Sequence, residues 1–136
     1  PIGYLRSIIN VLSKYKPCKY QLNIDGATYE REAFMISVAN SPQYGNNAYI
    51  APNASVNDGW LDVCIVHKFP LYILPMMVYH LFNRSAHHSD YVEIIRGKNI
   101  VITREDNGPV HVDGEPISLQ GDLNVSVKPN SLKIIC

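Results

Sequence analysis

Short strand-like segments, separated by glycine, proline and asparagine turns, recur along most of this 136-residue chain. Gly, Pro and Asn are depleted within strands and favoured in tight turns, so this punctuation indicates many short strands. Residues 20–25 alternate in polarity, Gly26 follows them, and a second extended segment begins at Thr28. The pattern predicts a β-hairpin at this point and a mainly β domain for the chain.

Two nearly continuous apolar runs, residues 34–39 and 61–66, predict central, buried strands. Further short strands are predicted at residues 91–95, 99–103, 110–112, 123–127 and 132–135. Turn-like residues separate these strands, among them the triplet Arg96, Gly97 and Lys98. At this length we expect one domain with a single core of moderate size.

Two segments depart from the strand pattern and predict helices. Apolar residues at positions 5, 8, 9 and 12 share one helical face, and Pro17 ends this leading helix. Residues 71–82 are apolar almost all round, and Pro75 fits in or just beyond a first helical turn, where N–H groups lack intrahelical partners. Such a helix is either part of the core, which periodicity favours, or a cover for an apolar ligand.

Composition excludes several classes of protein. The charge balance of 12 Lys and Arg against 12 Asp and Glu argues against a nucleic-acid partner, because phosphate binding requires a basic excess. No apolar run approaches the ~20 residues of a membrane-spanning helix, and the start lacks the basic region of a signal peptide. Cys18, Cys64 and Cys136 lie far apart, which favours a reducing cytoplasm and gives no support to a metal–cysteine site.

The segment Val112-Asp113-Gly114-Glu115-Pro116 places two carboxylates one residue apart, directly after an alternating run. Asp, Glu, Gly and Pro all disfavour strand structure, so four of them together at the end of a strand require a reason. One reason is a tight turn, which the Asp-Gly pair by itself favours. The other is a site where two acids bind a metal ion or accept a proton.

A second polar constellation begins at residue 40, after the first apolar run, and extends to residue 62, within the start of the second. Its long aperiodic stretch predicts a loop, and the apolar residues Tyr49, Ile50 and Ala51 within it indicate that the loop is ordered. Asp58 and Asp62 flank a glycine turn, which would expose carboxylate and carbonyl oxygens of the kind that hard cations prefer. The alternative is that the Asp58 turn merely precedes the next strand.

These polar motifs follow one another in a recognisable order along the chain. They are Asn40, Tyr44-Gly45-Asn46-Asn47, Ile50-Ala51-Pro52-Asn53-Ala54, Asp58-Gly59-Trp60-Leu61-Asp62-Val63, His87-His88 and Val112-Asp113-Gly114-Glu115. Their order resembles that of the C-terminal domain of the diacylglycerol kinase catalytic family, which includes bacterial lipid kinases, sphingosine kinases and ceramide kinases. The match covers nearly the whole chain, and its specificity comes from the motifs together.

The resemblance implies an α+β, β-sandwich-like domain that forms the C-terminal half of a two-domain lipid kinase. In such enzymes an N-terminal α/β domain carries a Gly-Gly-Asp-Gly-Thr nucleotide motif, and the C-terminal domain closes the other side of the cleft. This chain contains no such glycine motif. We therefore expect that the chain lacks the N-terminal nucleotide-binding domain and is inactive when isolated from it.

The implied reaction is transfer of the ATP γ-phosphate to a lipid hydroxyl, which depends on positioning, a metal ion and a base. By the resemblance, Glu115 is the proton acceptor, and Asp113 serves the magnesium-nucleotide or shares the role of base. Asn40, Gly45 and Asn46 match positions that face the nucleotide. Many relatives have consecutive glycines where this chain has Gly45 followed by two asparagines, a departure that predicts a stiffer loop.

A magnesium site is implied at the Asp58 turn, because bacterial members of the family bind the ion at the matching position. Asp58 would supply a carboxylate oxygen, and main-chain oxygens near Ser55 and Trp60 would join it. The implied cofactors are therefore Mg²⁺ and ATP, with ATP bound mainly by the N-terminal domain.

The resemblance also implies partners and a location. The expected partners are a lipid substrate and the chain's own N-terminal nucleotide-binding domain, and peripheral membrane contact and a homodimer are compatible with the sequence. The expected location is the cytoplasm, at or near the membrane surface. Two alternatives stay open: a non-catalytic β module that binds lipid or protein, and an NAD kinase-like enzyme. The apolar residues 71–82 favour a lipid over a soluble dinucleotide.

Overall fold

The predicted strand-and-turn pattern is confirmed by a computed structural model, which describes residues 16–105, 108–118 and 121–131. All strand pairs in these residues are antiparallel, as short strands joined by tight turns require. The strands are β1 (Cys18–Ile24), β2 (Ala27–Ala33), β3 (Met35–Ala39), β4 (Gln43–Gly45), β5 (Ala48–Tyr49), β6 (Leu61–Val66), β7 (Val92–Gly97), β8 (Asn99–Arg104), β9 (Val110–Val112), β10 (Glu115–Ile117) and β11 (Leu123–Ser126). The α-helix of the described residues, α1, spans Leu74–Phe82, between 3-10 turns at Leu71–Ile73 and Ala86–His88.

One layer of the domain is a four-stranded sheet with the strand order β11-β8-β1-β2. Its β1–β2 pair is the predicted hairpin, and Asp25 and Gly26 form the two-residue loop. Their φ values of 50° and 91° are those of a type I′ turn, whose twist matches that of the strands it joins. The Asp25 carboxylate accepts the main-chain N–H groups of Lys98 and Asn99 at 2.8 to 3.1 Å, which fixes this loop against the β7–β8 connection.

The second layer is a three-stranded sheet with the order β3-β6-β7. Every residue of the central strand β6 is buried, which confirms the prediction for residues 61–66. β3 lies at the edge of this sheet and all of its residues are only half buried, so the prediction of a central strand at residues 34–39 is wrong. An antiparallel edge strand packs one face on the core, so an apolar run alone does not identify a central strand.

The core lies between the two layers, and β6 is buried on both faces. Leu61, Val63 and Ile65 pack against the four-stranded sheet, whose buried residues are Leu22, Ile24, Ala33, Ile100 and Ile102. On the opposite face of β6, Cys64 packs in a second cluster with Ile50, Ala51 and Ala54. Two sheets packed face to face form a β-sandwich, as predicted, and burial of Ile50 and Ala51 confirms that the loop before β6 is ordered.

An ion pair also joins the two layers. Arg31 of β2 donates from Nε and Nη2 to the carboxylate of Glu93 on β7, at 2.8 and 2.9 Å. His67 Nε2 lies 3.2 Å from the same carboxylate. The hydrogen bonds from Arg31 hold the pKa of Glu93 below its ordinary value, so this acid is ionised at neutral pH.

Arg96 and the buried Gly97 belong to β7, so the turn predicted at residues 96–98 is wrong for these two residues, and only Lys98 bends between β7 and β8. A β-carbon at this position would overlap Cγ2 of Ile24 in the four-stranded sheet. Gly97 therefore permits a close approach between the two layers and does not mark a chain reversal. Its neighbour Arg96 is consequently a strand residue, paired across the sheet with Asp62.

The predicted apolar helix is confirmed, but the interpretation that it belongs to the core is wrong. Pro75 lies in the first turn of α1, as predicted, and Met77 is the buried residue of the helix. Residues 71–82, which we call the apolar helical segment, expose Leu71 (44%), Tyr72 (79%), Met76 (43%), Val78 (42%), Tyr79 (61%) and Phe82 (57%). Periodicity could not reveal this exposure, because a helix that is apolar all round has no polar face to mark its solvent side.

Two predicted elements, the leading helix at residues 5–12 and the strand at residues 132–135, lie outside the described residues. Within the three described stretches, no helix combines the length and the apolar character needed to cross a lipid bilayer.

Candidate functional site

The two predicted catalytic acids lie on the small hairpin formed by β9 and β10. Val112 pairs with Glu115, so Asp113 and Gly114 form the two-residue loop. Their φ values of 50° and 86° are those of a type I′ turn, which confirms the tight-turn interpretation of this segment. A tight turn does not exclude a chemical role, because it holds both acids at the same end of the hairpin.

Both of these carboxylates are exposed, and within the described residues neither of them makes a hydrogen bond or an ion pair. In the same residues the hairpin pairs only with itself and joins neither layer of the sandwich. An ionised carboxylate only accepts hydrogen bonds, and it can take a proton or bind a cation. Asp113 and Glu115 are therefore available for either of the predicted roles.

The predicted metal residue Asp58 lies in an Asx-type turn before β6. Its Oδ1 accepts the N–H of Trp60 at 3.0 Å, and its Oδ2 accepts Nη2 of Arg96 at 2.5 Å. The hydrogen bond from Trp60, and then the Arg96 guanidinium, hold the pKa of this carboxyl below its ordinary value. The carboxylate is therefore ionised at neutral pH, as a ligand for a cation must be.

Arg96 also binds a second acid, the buried Asp62. The Arg96 Nε lies 2.7 Å from Asp62 Oδ1, and the Asp62 side chain is only 2% exposed. One guanidinium thus bridges the two acids that flank the Gly59 turn. The sequence pattern predicted a turn at Arg96 and therefore did not indicate this bridge. The cross-strand pairing of residues 62 and 96 is the signal that identifies it.

The residues at this turn fit a hard cation in chemistry and in charge. Asp58 offers a carboxylate, and the main chain near Ser55 and Trp60 offers carbonyl oxygens, which are the ligand types that Mg²⁺ takes. Asp58, Asp62 and Arg96 together carry two negative charges and one positive charge, so a net negative charge remains for an ion. No cluster of three or more His, Cys, Asp or Glu side chains able to hold a metal occurs in the described part of the chain.

The predicted nucleotide-facing residues lie around the β4–β5 hairpin, in a stretch for which the sequence predicted only an ordered loop. Gly45 pairs with Ala48, so Asn46 and Asn47 form the loop of this hairpin. Both asparagines have positive φ, 47° and 61°, which asparagine adopts more readily than most residues. Asn40, Gly45 and Asn46 are exposed, and the two asparagines form the turn.

This hairpin is attached to the end of the apolar helical segment. The Arg84 guanidinium carbon lies 4.2 Å from the centroid of the Tyr49 ring, and Arg84 Nη2 donates to Tyr49 Oη at 2.7 Å. A stacked and hydrogen-bonded guanidinium is a geometrically specific contact. The exposed turn at Asn46 and the helix α1 therefore belong to one connected surface region.

A groove of about 500 Å³ is lined by residues of β1, β2 and β8, among them Lys19, Arg31 and Arg104. None of the predicted site residues lines it. Its lining carries charges of both signs, which does not suit the acyl chains of a lipid. We therefore assign it no part in the candidate site.

Comparison with known proteins identifies the class to which this sandwich and its acid-tipped hairpin belong. The family described as "YegS C-terminal NAD kinase beta sandwich-like domain" matches residues 1–136. The chain therefore belongs to that family, and the resemblance to the C-terminal domain of diacylglycerol kinase-like lipid kinases is confirmed.

Curated relatives include proteins named "Putative lipid kinase" from Staphylococcus aureus strains JH9 and Newman. Each is 30% identical to this chain over 135 residues, which cover 98% of the chain and 44% of the relative. The chain thus spans less than half the length of the curated relatives that it matches.

Solved structures from Bacillus anthracis strain Sterne have the same fold. The crystal structure of a "putative diacylglycerol kinase" is 26% identical with a TM-score of 0.71, covering 94% of this chain and 44% of that chain. A structure titled as a diacylglycerol kinase is 22% identical with a TM-score of 0.65, covering 94% of this chain and 43% of that chain. The latter likeness shows the fold alone.

Proposed function

We propose that this chain is the C-terminal, acid-bearing half of an ATP-dependent lipid kinase of the diacylglycerol kinase type. The observation that carries the proposal is the β9–β10 hairpin, where Asp113 and Glu115 are exposed and unpaired within the described residues. The family supports the reaction class, and the names of the relatives point to a lipid as the phosphate acceptor.

In the proposed reaction a hydroxyl oxygen of the lipid attacks the γ-phosphorus of ATP. The bond between that phosphorus and the bridging oxygen of ADP breaks, and the hydroxyl proton passes to a carboxylate oxygen of Glu115. A positioned base of this kind contributes about 10²- to 10⁴-fold to a rate. Asp113, two positions earlier on the same hairpin, orients the magnesium-nucleotide or shares the proton. Magnesium, when bound, offsets the negative charge of the phosphates.

The other predicted residues hold the surroundings of the reaction in this proposal. Asp58, with main-chain oxygens near Ser55 and Trp60, would hold a structural Mg²⁺ beside Arg96. The exposed turn of the β4–β5 hairpin would face a nucleotide bound mainly by an N-terminal domain. The expected location is the cytoplasm, with which the free thiols of Cys18 and Cys64 are compatible.

An NAD kinase-like enzyme is the second candidate, because the description of the family refers to the NAD kinase β-sandwich. The exposed apolar helical segment favours the lipid reaction, since a soluble dinucleotide requires no apolar surface of this size. A binding module without catalysis is the third candidate, because a type I′ Asp-Gly turn also forms in hairpins that carry no chemistry.

Phosphate transfer assays with the chain joined to a nucleotide-binding domain of its family distinguish the three candidates. The enzyme would be given γ-labelled ATP, Mg²⁺ and either diacylglycerol in phosphatidylcholine vesicles or NAD in solution. We expect label in the lipid and none in NAD, and no transfer by residues 1–136 alone. Label in NAD alone would identify the dinucleotide kinase, and no transfer to either substrate would favour the binding module.

A further inference from the structure

The apolar helical segment has a solvent-exposed surface that neither the sandwich core nor the candidate site uses. Its most exposed side chains, Tyr72, Tyr79 and Phe82, have 57% to 79% of their surface accessible. The opposite side of the helix is anchored, because Met77 is buried and Leu81 packs against the second core cluster. Contiguous apolar surface of this kind marks a site of protein or membrane contact.

The charges around this surface favour an anionic partner. No Asp or Glu occurs between Asp62 and Asp90, whereas Lys68 and Arg84 flank the helix and both are exposed. Four histidines lie in the same stretch, at positions 67, 80, 87 and 88. Apolar residues bordered by cations are the pattern of segments that lie in the interface of an anionic bilayer.

The composition of the exposed residues also suits a bilayer interface. Tyrosine has an apolar ring and a polar hydroxyl, and it is enriched at the level of lipid headgroups. The α-helix has only nine residues, far fewer than the ~20 that cross a bilayer, so it can lie on the surface but cannot span it.

The segment is held in shape before any contact with a membrane. Arg84 is stacked on Tyr49 and hydrogen-bonded to it, and His80 Nδ1 lies 2.8 Å from Ser85 Oγ just beyond the helix. The contact with Tyr49 joins the end of the segment to the β4–β5 hairpin, and the contact with Ser85 closes the turn after α1. A disordered segment loses binding free energy because it must become ordered on contact. This segment is already ordered in the fold, so it does not lose that free energy.

We propose that residues 68–84 dock this domain on an anionic lipid bilayer. Tyr72, Tyr79 and Phe82 enter the headgroup layer, and Lys68 and Arg84 contact anionic headgroups. The inference rests on the proposed function only in that a lipid kinase takes its substrate from a bilayer. The docking surface itself follows from the exposed residues and their charges.

Vesicle co-sedimentation of the purified chain tests the proposal without ATP or substrate. Vesicles of phosphatidylcholine alone are compared with an equal mixture of phosphatidylcholine and phosphatidylglycerol. We expect stronger binding to the mixture. The triple variant Tyr72→Ser, Tyr79→Ser, Phe82→Ser should lower the partition coefficient by at least about tenfold. The control Val56→Ser removes a 60% exposed apolar side chain outside the segment and should bind as the unchanged chain does.

A second variant separates charge from apolar contact and does not depend on the triple variant remaining folded. Lys68→Gln should weaken binding to the mixed vesicles several-fold and leave binding to pure phosphatidylcholine unchanged, because each cation adds attraction only to an anionic surface. Thermal melts monitored by circular dichroism verify that each variant is folded before binding is measured.

Three outcomes would overturn the inference. The unchanged chain does not bind the mixed vesicles, or it binds both vesicle types equally, or the folded triple variant binds as well as the unchanged chain. A fourth outcome would come from analytical ultracentrifugation. If the unchanged chain is a dimer and the triple variant is a monomer, this surface is a contact between two copies of the chain. The two proposals can fail separately. If the kinase assay shows no transfer but vesicle binding still depends on the apolar helical segment, the proposed function is refuted and the docking surface stands.

Discussion

Two pairs of acids in this domain have opposite surroundings. Asp58 and Asp62 both accept hydrogen bonds from the Arg96 guanidinium, at 2.5 and 2.7 Å. Asp113 and Glu115 are exposed, and no hydrogen-bond donor reaches either carboxylate within the described residues. The comparison separates acids that stabilise the fold from acids that the fold leaves available for chemistry.

Burial explains why Asp62 needs a partner, whereas Asp58, Asp113 and Glu115 are exposed. The Asp62 side chain is 2% exposed, and an ionised group removed from water must be paired and hydrogen-bonded. Asp113 and Glu115 lie at the tip of a hairpin in contact with water, where an unpaired charge carries little penalty. The stability of the domain should therefore depend on the pairing of Asp62 with Arg96, and turnover should depend on Asp113 and Glu115.

The sharpest test of the comparison is Glu115→Gln in the chain joined to a nucleotide-binding domain. Gln keeps the size and hydrogen-bonding capacity of Glu but cannot take a proton. We expect kcat to fall by about 10²- to 10⁴-fold, the usual contribution of a general base, with no change in melting temperature. Steady-state kinetics and a thermal melt of the same preparation measure both quantities.

Two further variants serve as references for this result. Glu30→Gln changes an exposed glutamate on β2 in the same way and should leave kcat unchanged. Asp113→Asn should also lower kcat, and added magnesium should reduce its defect if Asp113 serves the magnesium-nucleotide. A Glu115→Gln enzyme whose kcat stays within a few-fold of the parent would remove the base assignment.

The opposite pattern is expected for Arg96→Met. Met keeps the apolar stem of Arg but leaves the buried Asp62 without a cation. Loss of one partner of a buried pair costs 3 to 5 kcal/mol in general, and half exposure of Arg96 reduces this to about 2 to 4 kcal/mol of unfolding free energy. Urea unfolding measures the loss of stability. The kcat of the folded enzyme, which depends on the acids of the β9–β10 hairpin, should be unaffected.

Lys98→Met is the matched control for Arg96→Met. Lys98 is also basic and near the same turn, with its Nζ 4.5 Å from the centroid of the exposed Trp60 ring, but it pairs with no buried acid. Its loss should cost less than about 1 kcal/mol. The double variant Arg96→Met, Asp62→Asn should recover part of the stability. Equal losses in the two single variants would mean that Asp62 does not depend on Arg96.

The sequence predicted most strands of the fold because local patterns determine them. The alternation in β1 and the Asp25-Gly26 turn define a hairpin without knowledge of any distant residue. The position of β3 at a sheet edge and the exposure of the apolar helical segment could not be predicted in the same way. Both depend on which elements pack against them, and an apolar run reads the same in a central strand as at an edge.

The candidate site also contains features that local sequence determines and features that depend on distant residues. The Asp113-Gly114-Glu115 turn and the Asp58 turn are local, so composition and spacing identified both. The bridge made by Arg96 joins residues that are 34 and 38 positions away in sequence, and only the β6–β7 register brings them together. The misassigned turn at Gly97 hid this register, because glycine serves close packing as well as chain reversal.

Gly97→Ala tests that explanation of the glycine. The added β-carbon would overlap Cγ2 of Ile24, a branched and buried side chain that cannot swing away freely. Overpacking of this kind costs about 1 to 3 kcal/mol of unfolding free energy. Urea unfolding should show this loss. Gly26→Ala provides a contrast, since any loss there comes from strain at positive φ with open space around the β-carbon, whereas Gly97 has no positive φ. An unchanged stability in Gly97→Ala would contradict the close approach of the two layers.

The smallest expected effect concerns magnesium at the Asp58 turn. Asp58 is bound to Arg96, like Asp62, and it is also a proposed ligand of the ion. Arg96 already occupies Oδ2 of Asp58, so an ion must share this carboxylate and should raise the melting temperature by only about 2 to 5 °C. Asp58→Ala should lower the melting temperature without magnesium and abolish the increment with it. Asp90→Ala, at an exposed aspartate elsewhere, should retain the increment. An increment that survives in Asp58→Ala would place the ion at other ligands, and Asp58 would then belong with Asp62 as an acid of the fold.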